Sequence, residues 1–93
     1  MLNRVADLRF ERGADRVGKF KVPDAKFFSQ WFCASCGAKV PRVDAGRDYA
    51  ITPMGVLDDD PRIRPREHIF VDSKAPWFEI ADALPQHPAG APL

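Results

Sequence analysis

The sequence lacks the features that would point to a membrane or to nucleic acid. It has no apolar run near the roughly 18 residues that a membrane-spanning helix needs. Its first residues lack the apolar stretch of a secretory signal peptide. Its 14 basic and 13 acidic residues are interspersed, so no basic patch is visible. We therefore expect a cytoplasmic protein whose partners include neither a membrane nor a nucleic acid.

Motifs for several kinds of catalysis are also missing. There is no glycine-rich phosphate loop, and no set of serine, histidine and aspartate is arranged as a nucleophilic triad. Asp58, Asp59 and Asp60 are adjacent acids that cannot all face one cation, and the alternating pattern of a calcium loop is absent. We interpret this stretch as an acidic turn.

The length leaves little room for a hydrophobic core. With 93 residues the chain holds one domain at most. Domains this small often depend on a metal ion, disulfides or oligomerisation for their stability. Nine prolines interrupt almost every helix candidate, and the segments that remain are short and strand-like. The sequence therefore predicts a small, mainly-β, antiparallel domain.

Alternation of apolar and polar residues predicts where the strands lie. Val5–Phe10 and Val17–Val22 flank the turn-like segment Glu11–Asp15, which predicts a hairpin. Further strands are predicted in four segments: Lys26–Phe32, Lys39–Val43, Tyr49–Leu57 and Glu67–Val71. Residues 81–93 are rich in proline and alanine, and we expect a tail of little order there, with at most one helical turn at Ala81–Leu84.

Both cysteines of the chain lie in one short motif, Cys33-Ala34-Ser35-Cys36-Gly37. Two residues between the cysteines allow a tight turn to direct both thiolates at one metal ion. Gly37 can take the positive φ that turns backbone N–H groups toward sulfur. This pattern is typical of a zinc knuckle. Because zinc in structural sites prefers four tetrahedral ligands, the pair accounts for half of such a site.

Other interpretations of the cysteine pair stay open. A thioredoxin-like redox pair should follow a strand and open a helix, whereas Pro41 and the strand-like residues after Gly37 disfavour a helix. Two inert cysteines in a loop are also compatible with the sequence. His68 and His87 are the remaining strong ligand candidates, although their spacing matches no common zinc finger.

Five short segments, in order and spacing, resemble one enzyme family. They are Phe32–Gly37 (FCASCG), Gly55–Asp59 (GVLDD), Pro65–Val71 (PREHIFV), Ser73–Phe78 (SKAPWF) and Leu84–Gln86 (LPQ). Together they resemble the glutathione-dependent formaldehyde-activating enzyme family, which also includes the centromere protein V-like proteins. The resemblance covers roughly residues 4 to 87.

The resemblance implies a zinc-dependent carbon–sulfur lyase acting on a glutathione–formaldehyde adduct, in an antiparallel zinc-binding domain of split-barrel or β-tent type. Family members pair an N-terminal C-x-C motif with the later C-x-x-C motif in a structural zinc site, and a C-x-C-x-x-C cluster holds a catalytic zinc. Here Cys33 and Cys36 alone match, as half of the structural site. We therefore expect residues 1–80 to be such a domain with its N-terminal part missing, inactive alone, and residues 81–93 to be its tail.

The unmatched ligands predict a partner. A second copy of the chain, forming a homodimer, or a separate N-terminal half would complete the zinc site. The alternative function is a non-enzymatic, zinc-stabilised binding or assembly module whose contact residues include Trp77 and Phe78. For Trp77 itself we favour a core position over the sheet.

Overall fold

The computed structural model describes residues 1–91, which separate into two compact units, one spanning Met1–Asp60 and one beginning at Pro61. Small antiparallel sheets and a few 3₁₀ turns make up the regular structure, so the predicted mainly-β class is confirmed. No helix in residues 1–91 is long and apolar enough to cross a membrane. Pro92 and Leu93, the end of the predicted tail, lie outside the described residues.

The best-formed sheet of the first unit is a hairpin of β2 (Val17–Lys21) and β3 (Ser29–Cys33). The strands are antiparallel, with Val17 opposite Cys33 and Lys21 opposite Ser29. Gly18 lies opposite Phe32, and a Cβ at this glycine would meet the Phe32 ring at 2.6 Å. The absence of a side chain at position 18 therefore lets the Phe32 ring lie directly against the neighbouring strand.

The second sheet pairs β1 (Leu2–Arg4) with β4 (Tyr49–Ile51). Ala50 of β4 is fully buried and is the one apolar residue classed as buried among residues 1–91. The other buried residues are polar: Ser29, Asp44 and Thr52. The first unit is therefore organised around a small centre in which polar contacts matter as much as apolar ones.

The predicted hairpin between Val5–Phe10 and Val17–Val22 is wrong. Val5–Asp7 forms a 3₁₀ turn, and an ion pair of 2.9 Å between Arg4 and Asp7 spans it. Strand β2 is present, but its partner is β3, because a tight connection follows β2 directly. There the Ala25 N–H donates to the Val22 carbonyl, and the Val22 N–H donates to the Phe28 carbonyl.

The other predicted strands are shorter than expected. In Lys26–Phe32 the strand begins at Ser29, and in Tyr49–Leu57 it ends at Ile51, before a 3₁₀ turn at Met54–Val56. Lys39–Val43 contributes isolated bridges rather than a strand: Lys39 pairs with Phe32 and Arg42 pairs with Ile51. Prolines at 41 and 53 interrupt these two segments and remove the N–H groups that a longer ladder would need.

Backbone hydrogen bonds outside regular strands hold the second unit together. His68 and Gln86 form an isolated parallel bridge, and Val71–Ser73 is a 3₁₀ turn. The predicted strand Glu67–Val71 is wrong, because Phe70 has a left-handed backbone (φ 57°) that breaks the extended run.

The part of the predicted tail that the structure describes is more ordered than expected. The carbonyls of residues 85, 87, 88 and 89 accept hydrogen bonds from the N–H groups of residues 68, 71, 72 and 70, respectively, at 2.8–3.3 Å. The expected helical turn at Ala81–Leu84 is not formed. Proline carbonyls remain good acceptors, so a proline-rich segment can still be tied down by donors from elsewhere.

Candidate zinc site

The cysteine motif lies at the end of β3, where the chain reverses. Cys33 is the last residue of the strand, and its N–H donates to the Ala38 carbonyl at 2.8 Å. The Gly37 N–H donates back to the Cys33 carbonyl at 2.7 Å, and Gly37 has φ +78° as predicted. The bridge between Phe32 and Lys39 closes the turn. The motif is therefore a hydrogen-bonded knuckle rather than a loose loop.

Two backbone N–H groups of this turn act on the sulfur atom of Cys33. The pKa of the Cys33 thiol is held below its usual value, first by the backbone N–H of Cys36 and then by the backbone N–H of Ser35. The Cys36 side chain adds a smaller contribution in the same direction, and partial desolvation opposes it. Hydrogen bonds to the charged form favour the thiolate, which is the form that binds metal ions.

Strand β2 fixes the position of the knuckle. The Ala34 N–H donates to the Arg16 carbonyl at 2.8 Å, next to the pairing of Val17 with Cys33. Cys33 is partly buried, whereas Cys36 is exposed. Cys33 also borders a cavity of about 290 Å³ whose other lining residues are Phe10, Arg12, Gly13, Arg16, Val17 and Val40. One thiol is thus held by the fold, and the other remains open to solvent.

The two histidines are engaged elsewhere, in the second unit. His68 Nε2 lies 2.9 Å from an oxygen of Asp82, and His87 Nε2 lies 2.8 Å from an oxygen of Glu67. Across residues 1–91, no group of three or more histidine, cysteine or acidic side chains could hold a metal ion. The structure therefore brings Cys33 and Cys36 into one turn and gathers no third ligand around them.

Among known proteins, one family matches most of the chain. The family model described as glutathione-dependent formaldehyde-activating enzyme matches residues 1–73. The chain belongs to this family. The match includes both cysteines and all of the first unit. No curated protein and no solved structure matches the chain.

The two cysteine thiolates are ligands of the type that zinc prefers, but they are fewer than the four ligands of a structural zinc site. Two thiolates separated by two residues are donors that zinc prefers, and backbone N–H groups directed at sulfur are typical of the outer shell of such sites. Structural sites take four protein ligands, however, and the turn offers two. Cys33 and Cys36 would hold zinc together with two ligands from another chain or chain segment.

Sequence reasoning missed two features of the second unit. The carboxylates that engage the histidines lie 14 residues from His68 and 20 residues from His87, and no local pattern marks such distant pairs. The predicted core position of Trp77 is wrong, since the residue is 88% exposed. Residues 61–91 form no sheet on which its ring could pack, so the argument that aromatic residues anchor sheets does not apply here.

Proposed function

We propose that Cys33 and Cys36 supply two thiolate ligands of a structural zinc ion, in a family member whose 93 residues do not carry the lyase reaction on their own. The family resemblance supplies the reaction class, cleavage and formation of a carbon–sulfur bond on a glutathione–formaldehyde adduct. The observation that carries the zinc proposal is the knuckle itself. Its left-handed Gly37 and its two N–H groups directed at Cys33 favour thiolate at the place where zinc would bind.

A structural role accounts for the pair better than a catalytic one. A catalytic zinc needs about three protein ligands and one open position for the substrate. The two cysteines are the only ones in the chain, and both histidines already contact carboxylates. Since a domain with so small a buried centre has little stability to spare, we assign the thiolates to holding the fold.

Thermal unfolding with and without a zinc chelator tests this proposal. Because metal binding contributes to folding free energy, we expect the chelator and Cys33→Ala each to lower the unfolding midpoint by more than about 5 °C. Ala38→Ser is the matched control, since Ala38 is an exposed residue of the same turn whose carbonyl still accepts from the Cys33 N–H after the substitution. If neither the chelator nor Cys33→Ala lowers the midpoint, the cysteines hold no structural metal.

The lyase half of the proposal has its own test. With zinc supplied, we expect the 93-residue chain to accelerate the reaction of glutathione with formaldehyde no more than a heat-denatured sample does. A zinc-dependent rate that disappears in Cys36→Ser would assign the cysteines to catalysis instead.

The second candidate function is a binding module. The observation that favours it is the exposure of Trp77 at 88% and of Phe78 at 58%, because large aromatic side chains left in water are typical of contact surfaces. In this case the zinc would stabilise a scaffold, and the aromatic pair would make the contact. A lyase activity recovered when ligands are supplied by a second polypeptide would favour the enzymatic function over this one.

A further inference from the structure

A cavity of about 350 Å³ lies in the first unit, where residues 39–42 connect β3 with β4. This connecting segment bonds to both strands. The Val40 N–H donates to the Trp31 carbonyl at 3.1 Å, and the Arg42 N–H donates to the Ile51 carbonyl at 3.0 Å. The cavity therefore belongs to the hydrogen-bonded centre of the unit. Neither cysteine borders it, so an inference about it does not depend on the zinc proposal.

The walls of this cavity are mostly apolar. Phe28 and Trp31 contribute aromatic rings, and Ile51, Pro53 and Met54 contribute further apolar surface. Pockets for small molecules typically enclose about 300–1,000 Å³ and combine apolar walls with a few polar groups. Because an apolar cavity of roughly 150 Å³ can hold benzene, this one has room for an aromatic ring that carries a short substituent.

The charged side chains that line the cavity are both positive. Lys39 and Arg42 border it, and none of the described residues that line it is acidic. The Lys19 ammonium, which lies 4.0 Å from the centre of the Trp31 ring, places a third positive charge close to the same wall. Charges of one sign around an apolar cleft raise the local concentration of ligands of the opposite sign. The cavity therefore favours an anion.

Arg42 is the more firmly held of the two lining cations. Its Nε donates to the buried Asp44 carboxylate at 3.2 Å, and its guanidinium centre lies 4.7 Å from the centre of the Phe28 ring. The two terminal nitrogens of the guanidinium carry four more N–H donors, in a planar fork that matches a carboxylate. Lys39 donates to the side-chain oxygen of Gln30 at 2.7 Å, an uncharged acceptor that leaves the ammonium charge unbalanced. Since Asp44 balances Arg42, Lys39 supplies the net positive charge of the lining.

We propose that this cavity binds a small aromatic carboxylate, with its ring against Phe28 and Trp31 and its carboxylate on Lys39 and Arg42. Both parts of the ligand are needed to use the cavity. A neutral aromatic compound leaves the two cations without an acceptor, and a small anion without a ring leaves the apolar walls in water. One net positive charge in the lining suits a carboxylate monoanion better than a phosphate dianion.

Titration of the ¹⁵N-labelled full chain with benzoate, followed by nuclear magnetic resonance, tests the proposal. The indole N–H signal of Trp31 should shift with a dissociation constant below about 1 mM, and that of Trp77 in the second unit should stay in place. Acetate has the charge without the ring, and benzyl alcohol has the ring without the charge. Each should bind at least about tenfold more weakly than benzoate.

Substitutions of the two cations locate the anion. Lys39→Gln should raise the dissociation constant of benzoate at least about fivefold. Lys26→Gln is the matched control, because Lys26 is an exposed lysine of the same unit that also lies over an aromatic ring, that of Phe27, but does not border the cavity. Arg42→Lys keeps the charge and removes the planar fork, so it should weaken binding at least about threefold. Circular dichroism checks that this last variant folds, since Arg42 also contacts the buried Asp44.

Several outcomes would contradict the proposal. If about 10 mM benzoate leaves the Trp31 signal unmoved, or moves that of Trp77 instead, the cavity is not the site. Equal affinity for benzoate and benzyl alcohol, or equal effects of Lys39→Gln and Lys26→Gln, would overturn recognition of the carboxylate by the lining cations. Tighter binding of phenyl phosphate than of benzoate would overturn the preference for a monoanion. None of these results bears on zinc binding at the cysteines.

Discussion

The two units of this chain are held by different kinds of contact. The first unit, residues 1–60, has paired strands and a buried polar network in which Asp44 accepts from Ser29 at 2.8 Å and from Arg42 at 3.2 Å. The second unit, from residue 61, relies on scattered backbone hydrogen bonds and on two histidine–carboxylate pairs near the surface. Buried polar groups penalise the loss of any one partner, whereas exposed pairs are screened by water. We therefore expect the first unit to be sensitive to single substitutions and the second to be sensitive to pH.

The largest expected effect is that of Asp44→Ala. This substitution leaves the Ser29 hydroxyl and the Arg42 guanidinium without an acceptor in a buried environment, which costs about 3 kcal/mol of unfolding free energy. Asp48→Ala is the control, since Asp48 lies in the same turn but is exposed, and it should change stability by less than about 0.5 kcal/mol. Urea unfolding followed by circular dichroism measures both. Equal effects of the two substitutions would refute a special role for the buried network.

The second-largest loss of stability is expected from Gly18→Ala, which disturbs the packing of the β2–β3 hairpin. Gly18→Ala places a Cβ 2.6 Å from the Phe32 ring, and the ring must move to relieve the overlap, at a cost of about 1–2 kcal/mol. Gly55→Ala is the matched control, because nothing lies within 4 Å of its added Cβ and its backbone is not left-handed. If Gly18→Ala is as stable as the control, the Phe32 ring is not fixed against β2.

The first unit also illustrates how far the sequence specifies the fold. The knuckle follows from residues adjacent in sequence, since Gly37 and the spacing of Cys33 and Cys36 determine its turn. The position of β2 follows from alternation, but its partner does not. Alternation determines which side chains share a face and leaves open which strand lies alongside. The tight turn after Val22, rather than the one after Phe10, determines the pairing.

The second unit could not have been predicted by the same reasoning. Its order comes from proline carbonyls that accept hydrogen bonds and from His68 and His87, whose carboxylate partners are distant in sequence. Periodic patterns describe residues on regular elements, and this unit has none longer than a 3₁₀ turn among residues 61–91. Its stability therefore depends on specific pairs that only the folded chain brings together.

Acid should loosen the second unit before the first. The pKa of Asp82 is lowered from the ordinary value of 3.8, chiefly by the hydrogen bond from His68 and next by the Leu84 N–H. A carboxyl whose pKa is lower in the folded chain contributes stability that is complete above the unfolded pKa and is lost as the pH falls through the folded pKa. The contribution is therefore complete above the unfolded value of 3.8 and is lost progressively as the pH falls below that value through the lower pKa of the folded chain.

Hydrogen exchange of backbone amides as a function of pH measures this loss. The amides of His68 and His87, which bond to the neighbouring segment, should lose protection in acid while those of β2 and β3 keep theirs. Asp82→Asn should produce the same loss at neutral pH, and Asp72→Asn, an exposed carboxylate in the same unit, should not. Simultaneous loss of protection in both units would contradict the difference between them.

The smallest effect is expected at Trp77. A side chain that is 88% exposed loses almost no burial on truncation, so Trp77→Ala should change the unfolding free energy by less than about 0.5 kcal/mol. Trp31, which is partly buried on β3 and lies under Lys19, is the matched tryptophan of the first unit, and Trp31→Ala should cost at least about 1 kcal/mol. Fluorescence of each single-tryptophan variant provides a second measurement, because a soluble quencher should reach Trp77 more readily than Trp31. If Trp77→Ala destabilises the chain as much as Trp31→Ala, the Trp77 ring is buried in solution.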